Sequence, residues 1–279
     1  MNRLANQDRC RVLACLVEGN SIRATVRITG IAKRTVSRLV VELGEACERF
    51  ADRTMRDLGC KSLQCDEIWA FVGAKAKNAT EEQRREGWGD VWTWVAIDPE
   101  TKLVPQWFVG DRSAETAYKF MLRLSRRLAS RIQLTTDGHK AYLIAVKAAF
   151  PNGIDYAQLV KLYESPVTGR YSPAVCIGER KERISGSPFP ELISTSHAER
   201  NNLTIRMQSR RFTRLTNAFS KSILHHRLAL AIHFVHYNFV RIHQTLRCTP
   251  AMAAGLTDRV WELSDLIGLL EAEELALAA

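Results

Sequence analysis

A chain of 279 residues, 46% hydrophobic and 25% charged, has the make-up of an ordinary folded protein, with length for one large or two modest domains. The formal charge of +10 favours a polyanionic partner. The seven cysteines are odd in number and contain no C-x-x-C pair, which argues against a disulfide frame and a cysteine-type zinc site. No signal peptide is read at the start, and "LALAIHFVHYNFV" is too short and too polar to span a bilayer, so a cytoplasmic protein is expected.

The first sixty residues read as helices. "QDRCRVLACLVEG" places Val12, Leu13 and Leu16 at helical spacing and stops at Gly19. Ser21 caps a short second helix, "IRATVRI", and "AKRTVSRLVVELG" gives a third that ends at Gly44. Two helices about a short Gly-containing turn, the second bearing Lys33, Arg34, Ser37 and Arg38, form the pattern of a helix-turn-helix DNA reader. The competing reading is a three-helix bundle with a solvated basic face.

From residue 61 the period becomes two. "KSLQCDEIWAFVG" alternates, and "DVWTWVAID" and "KLVPQWFVGD" make a hairpin about the turn "DPET". Ser113 caps a helix with Ala117, Phe120, Met121, Leu124 and Leu128 on one face. "RIQLTTDG" is a strand ending in a polar turn; a helix follows to Ala149, and "DYAQLVKLY" is a fifth strand. The expected fold class is α/β: an N-terminal helix-turn-helix domain (1–58), a mixed-sheet domain (59–215) with an inserted loop at about 164–197, and a helical C-terminal extension (216–279). The loop is read from Pro166, Pro173, Pro188 and Pro190 with Gly169, Gly178 and Gly186. "DRVWELSDLIGLLEAEELALAA" closes the chain as an acidic amphipathic helix.

Phosphodiester chemistry on DNA requires a hard divalent cation held by oxygen ligands, so carboxylates converging at a sheet edge are the pattern to seek. Asp66 is a charged residue in mid-strand, where it needs a partner or a metal. Alternation sets Glu67 on the opposite face, so at most one of the two is expected in a given site, and Asp66 is preferred. Asp137 ends the fourth strand, although Asp-Gly is also a common turn pair; Asp98 reads as a turn acid only. Glu199 begins a helix in which Asn202, Arg206 and Arg210 lie within about 60° of its face, and no further acid occurs before Asp258. Arg211 and Arg214 continue the basic run. One acid heading a strip of cations suits a metal-holding carboxylate beside a phosphate backbone, and equally a solvated helix with its acid at the favourable dipole end.

Together, "LQCDEIW", "TTDGHKAY", "HAERNNLTIR" and the later "YNFVRIHQTLRCTPAMAAG" resemble the DDE transposases of bacterial insertion sequences, closest to the insertion-sequence-one family. The resemblance covers nearly the whole chain and implies a ribonuclease H-like catalytic fold, with Asp66, Asp137 and Glu199 as catalytic and metal-binding triad and Arg206 as the basic residue that often follows. It implies two Mg²⁺ ions, replaceable by Mn²⁺. Metal-activated water frees a 3′-hydroxyl at the transposon end, and that hydroxyl is then joined to target DNA. The implied partners are double-stranded DNA at ends and target, and further copies of the chain in a synaptic complex, with no membrane and a nucleoid-associated location. Lys33, Arg34, Ser37, Arg38, Asn202, Arg206, Arg210, Arg211 and Arg214 are the implied DNA contacts. Many relatives carry a cysteine-ligated zinc finger ahead of the helix-turn-helix; this sequence has none, and no zinc is expected.

Two rivals stay open: a non-catalytic helix-turn-helix regulator from a decayed element, and a related-fold nuclease that cuts without joining. A tyrosine recombinase is dismissed, because His243 and Arg247 are one position too far apart and no Tyr follows Tyr237. His225, His226, His233 and His236, interleaved with Leu, Ile and Phe, read as packing or phosphate contacts. Trp69, Trp92, Trp94 and Trp107 read as sheet core.

Overall fold

The computed structural model describes residues 4–164, 175–213 and 216–278. Three helices open the chain: α1 (Asn6–Val17), α2 (Ile22–Thr29) and α3 (Lys33–Thr54). Ser21 accepts the Ala24 N–H as the cap of α2, and Gly30 leaves it at φ +74°, the left-handed conformation a helix exit favours. The third helix does not end at Gly44. It runs nearly three turns further, because Gly44 is a crossing point: a Cβ there would lie 2.5 Å from the Leu228 Cβ. Local reading takes the glycine as a stop; the structure uses its missing side chain for close helix approach.

The sheet follows, from β1 (Ser62–Val72), β2 (Gly89–Ile97), β3 (Gln106–Gly110), β4 (Gln133–Asp137), β5 (Asp155–Glu164) and β6 (Val175–Ser185). Small helix α4 (Glu81–Arg85) joins β1 to β2, α5 (Ala114–Ser125) joins β3 to β4, and α6 (Ala141–Ala149) joins β4 to β5. The spatial order is β3-β2-β1-β4-β5-β6. The first three strands pair antiparallel, β1–β4 and β4–β5 pair parallel, and β6 returns antiparallel on β5. This is the mixed α/β class read from the sequence. The hairpin strand β3 starts later than its apolar run suggests. Pro105 can donate no ladder hydrogen bond, and the backbone of Val104 is taken at N–H and C=O by the Asn238 side chain.

Part of the expected loop at 164–197 is strand. Residues 175–185 form β6, whose "GERKERIS" is exposed on both faces and held by pairing with β5. Pro166, Gly169 and Pro173 lie outside the described residues. Pro188 follows β6, and Pro190 opens a single 3-10 turn before α7 (Ser196–Gln208). After α7 come a 3-10 turn at Arg210–Phe212, then α8 (Ile223–Phe239), α9 (Pro250–Ala253) and α10 (Leu263–Ala278).

One hydrophobic core runs from Val12 and Leu43 through Trp94 and Phe120 to Phe234 and Leu270. The closing acidic helix folds back on the opening ones: Leu266, Ile267 and Leu270 are buried, and Asn6 donates to Glu271 at 2.8 Å. Trp94 and Trp107 are core residues as expected. Trp69 and Trp92 are half-buried, under Lys75 at 5.5 Å and Arg112 at 4.6 Å from the ring centres. No helix among the described residues is long and apolar enough to cross a membrane.

Candidate metal centre

The parallel β1–β4 register pairs Cys65 with Thr136, so one residue further on each strand Asp66 and Asp137 stand side by side. Asp66 is held from two directions: the Glu67 N–H donates to its Oδ1 at 2.8 Å, and Asn202 Nδ2 donates to its Oδ2 at 2.8 Å. Asp137 accepts the His139 N–H at 3.0 Å, so the Asp-Gly turn and the cluster share one carboxylate.

Glu67 belongs to this cluster, against the alternation argument. Ligand oxygens of Asp66, Glu67 and Asp137 lie within 4.8 Å of one another. The expectation that Asp66 and Glu67 cannot share a site assumes a sheet that continues on both sides. Here β4 ends at Asp137, while β1 runs on to Val72. Where the neighbouring strand stops, side chains from both faces of β1 can turn into the same opening.

The electrostatics follow from burial and like charge. Asp66 has its pKa raised to about 6, first by burial and then by the charge of Asp137. Glu67, 8% exposed, is raised to about 8 by the same two causes in the same order. The buried Tyr142 hydroxyl interacts with its carboxylate, and its Oε2 meets Arg112 at 3.2 Å. Arg112 also lies 3.8 Å from Asp137 and over the Trp92 ring. It is a loop cation threaded between two acids, and nothing in its sequence context singles it out.

Glu199 stands in the first turn of α7, one helical turn before Asn202, and its charge acts on Asp66. Its carboxylate is engaged by Lys161 of β5 at 2.6 Å and by the Thr195 hydroxyl at 2.7 Å. Of the three acids named by the sequence, Asp66 and Asp137 adjoin, whereas Glu199 is outside their 4.8 Å cluster and engages Lys161 and Thr195.

The proposed basic strip divides. Asn202 is buried against Asp66 rather than presented to a backbone, because that face of α7 is the one packed on β1. Arg206 is half-buried one turn further on. The helix ends at Gln208, so Arg210 and Arg211 sit in the following 3-10 turn and not on the extended face of α7. Arg214 lies outside the described residues. Lys33, Arg34 and Arg38 are exposed on the first turns of α3, Ser37 is half-buried among them, and Arg38 pairs with Glu42 at 3.6 Å.

No family model matches the chain. Over 160 residues it is 26% identical to the insertion element iso-IS1n protein InsB of Shigella dysenteriae, covering 57% of this chain and 83% of that one. Among solved structures, that of a piggyBac transposase synaptic complex with hairpin DNA has a TM-score of 0.41 at 10% identity, over 96% of this chain and 71% of the other. That of a pre-cleavage Mos1 transpososome has a TM-score of 0.24 at 12% identity, and the chain spans 58% of its length. By sequence, the chain is similar to the insertion-element protein InsB.

Proposed function

We propose that the chain is a transposase of the insertion-sequence-one type, which binds transposon ends and carries out divalent-metal-dependent cleavage and strand transfer. The observation that carries this reading is the gathering of three carboxylates, Glu67 buried and Asp66 and Asp137 half-buried, at the end of β4, with α7 fastened to them through Asn202 and Asp66. A regulator that only reads DNA has no use for clustered acids that repel one another. Kinship with an insertion-element protein points the same way.

The donor set fits Mg²⁺. It is all oxygen, and it carries more negative charge than Arg112 offsets. Asp66, Asp137 and Glu199 would hold the metal, with Glu67 as a fourth carboxylate in reach. Bound divalent ions would supply an activated attacking oxygen and stabilise the leaving one. The protein's own groups do the positioning. Asn202 and the Glu67 N–H fix both oxygens of Asp66, Thr195 orients Glu199, and Arg112 and Lys161 keep the like-charged acids together. Duplex DNA is the partner, read by the helix-turn-helix, and pairing of two ends calls for more than one copy of the chain.

Asp66→Ala is expected to abolish cleavage and strand transfer on the flanking inverted repeats while end binding persists. A variant that still transfers strands removes Asp66 from the site. Wild-type protein that binds ends but does nothing with Mg²⁺ favours the regulator, and cutting without joining favours the nuclease.

A further inference from the structure

A cavity of about 700 Å³ opens between the helix-turn-helix and the segment after α7, far along the chain from it. Beside it the two parts of the chain meet closely at Gly19, at φ +78°, where a Cβ would lie 3.1–3.2 Å from the carbonyl oxygens of Gln208 and Met207. Arg23 and Lys33 line one wall, and Arg210, Arg211 and Lys221 the other. The floor is apolar, with Leu16, Val40, Phe219 and Ile232. Among the described residues, no Asp or Glu lines it.

The cations crowd one another. After burial, the charge of Arg23 lowers the pKa of Lys221, and that of Arg211 lowers those of His225 and His226. Arg211 donates to Ser220 Oγ at 3.1 Å and makes no ion pair among the described residues. Burial alone brings its guanidinium down to about 10. A cation withdrawn from water without a counter-ion is costly, and an anion in the cavity would relieve that cost.

The size narrows the anion. The volume is that of a small-molecule pocket, roughly 300–1,000 Å³, which a duplex cannot enter. Cations over an apolar, partly aromatic floor are the means by which single strands are held: phosphates on charge, bases on ring and methyl groups. Phe219 rests on Phe71 with ring centres 4.7 Å apart, and Lys221 Nζ lies 3.2 Å over its ring. We propose that this cavity holds about two nucleotides of unpaired DNA strand, with phosphates on Arg211, Lys33 and Arg23 and a base against the floor at Phe219. The inference rests on the DNA reading above but uses none of the acids.

The test is fluorescence anisotropy of a labelled oligothymidylate of about ten nucleotides with the full chain in EDTA. Wild-type protein and Asp66→Ala are expected to bind it equally. Arg211→Gln should weaken it by about tenfold. Arg23→Ala, at an exposed position that the fold does not need, should weaken it by about threefold and reduce the salt slope by about 0.7. Absence of binding by wild-type protein overturns the proposal, as does an affinity unchanged by both substitutions. Equal losses on a duplex of the same length would also overturn it, and so would displacement of the strand by millimolar pyrophosphate, which would mark a plain anion site. Failure of the transposase reading has a different signature: wild-type protein transfers no strand, while oligothymidylate binding is untouched.

Discussion

The acid cluster at the end of β4 and the basic cavity beside the helix-turn-helix are opposite solutions to one electrostatic problem. In the first, three carboxylates are packed within 4.8 Å, with Arg112 between two of them. In the second, five cations and no carboxylate line a cavity among the described residues. Each concentrates one sign of charge beyond what the fold neutralises. The acids sit on rigid strands of the sheet centre, where position matters to within fractions of an ångström. The cations sit on helix starts and turns, where long side chains can follow a polymer. The first pattern suits a small ion and the second a chain of phosphates.

The largest effect separates the two regions by function. Asp137→Asn keeps the shape of the cluster and removes a charge that acts on both Asp66 and Glu67. Cleavage should fall by roughly a thousandfold or more, since several kcal/mol of metal-dependent stabilisation are at stake. Oligothymidylate binding should stay at the wild-type value. Gel-based cleavage and anisotropy on the same preparation check both halves, and a parallel loss of binding would mean that the two regions are not independent.

A smaller effect sharpens the role of Arg112. With Arg112→Ala, Glu67 and Asp137 lose the cation between them, and the metal-free protein should melt about 4 °C lower, for a cost of about 1–2 kcal/mol. Added Mg²⁺ should then raise the melting temperature more than in wild-type protein, because the ion takes over the neutralising role. Equal Mg²⁺ shifts in the two proteins would show that Arg112 does not stand in for metal charge.

The two regions also titrate in opposite directions. Glu67 ionises near pH 4.5 when unfolded and near 8 when folded, so the folded state keeps a proton that the unfolded state has lost. Without metal, its contribution therefore falls as pH rises from about 4.5 to 8, by at most about 1.4 kcal/mol per pH unit. On the helical side, burial lowers His226 and His233 to about 3. Between there and pH 6.5 the unfolded chain takes up protons that the folded one refuses, so this contribution falls as pH drops. Urea denaturation across pH 4–8 in EDTA should show a maximum between the two limbs. Glu67→Gln should flatten the alkaline limb alone.

How much of this the sequence discloses depends on what each residue is asked to report. Caps and periods are local, so Ser21, Ser113 and the alternation of β1 place their elements correctly. The strand β6 is missed because it buries no face, and period-two reading needs one apolar side. Gly44 misleads because the reason for it is Leu228, nearly two hundred residues away. Asp66 and Asp137 are visible as acids where strands rarely tolerate them. Glu67 is assigned away from them by a rule that holds only while neighbouring strands continue. Arg112 and Lys161 carry no signal at all, since an arginine in a loop and a lysine in a strand gain meaning only from the acids they meet in space.

The smallest predicted effect divides the cationic region itself. Arg34 is exposed on the first turn of α3 and does not line the cavity, whereas Lys33, its neighbour, does. Successive helical residues point about 100° apart, so this one-residue step separates a surface that can lie along a duplex from one that faces the cavity. Arg34→Ala should therefore weaken duplex end binding by about two- to threefold and make its salt dependence shallower by about 0.9, the share of one phosphate contact on B-DNA. Oligothymidylate binding should not change. Arg211→Gln should give the mirror result, a loss on the strand with the duplex spared. If both substitutions lower both affinities in proportion, helix face and cavity form one continuous phosphate track, and the contrast between an open reading surface and a strand site in the cavity disappears.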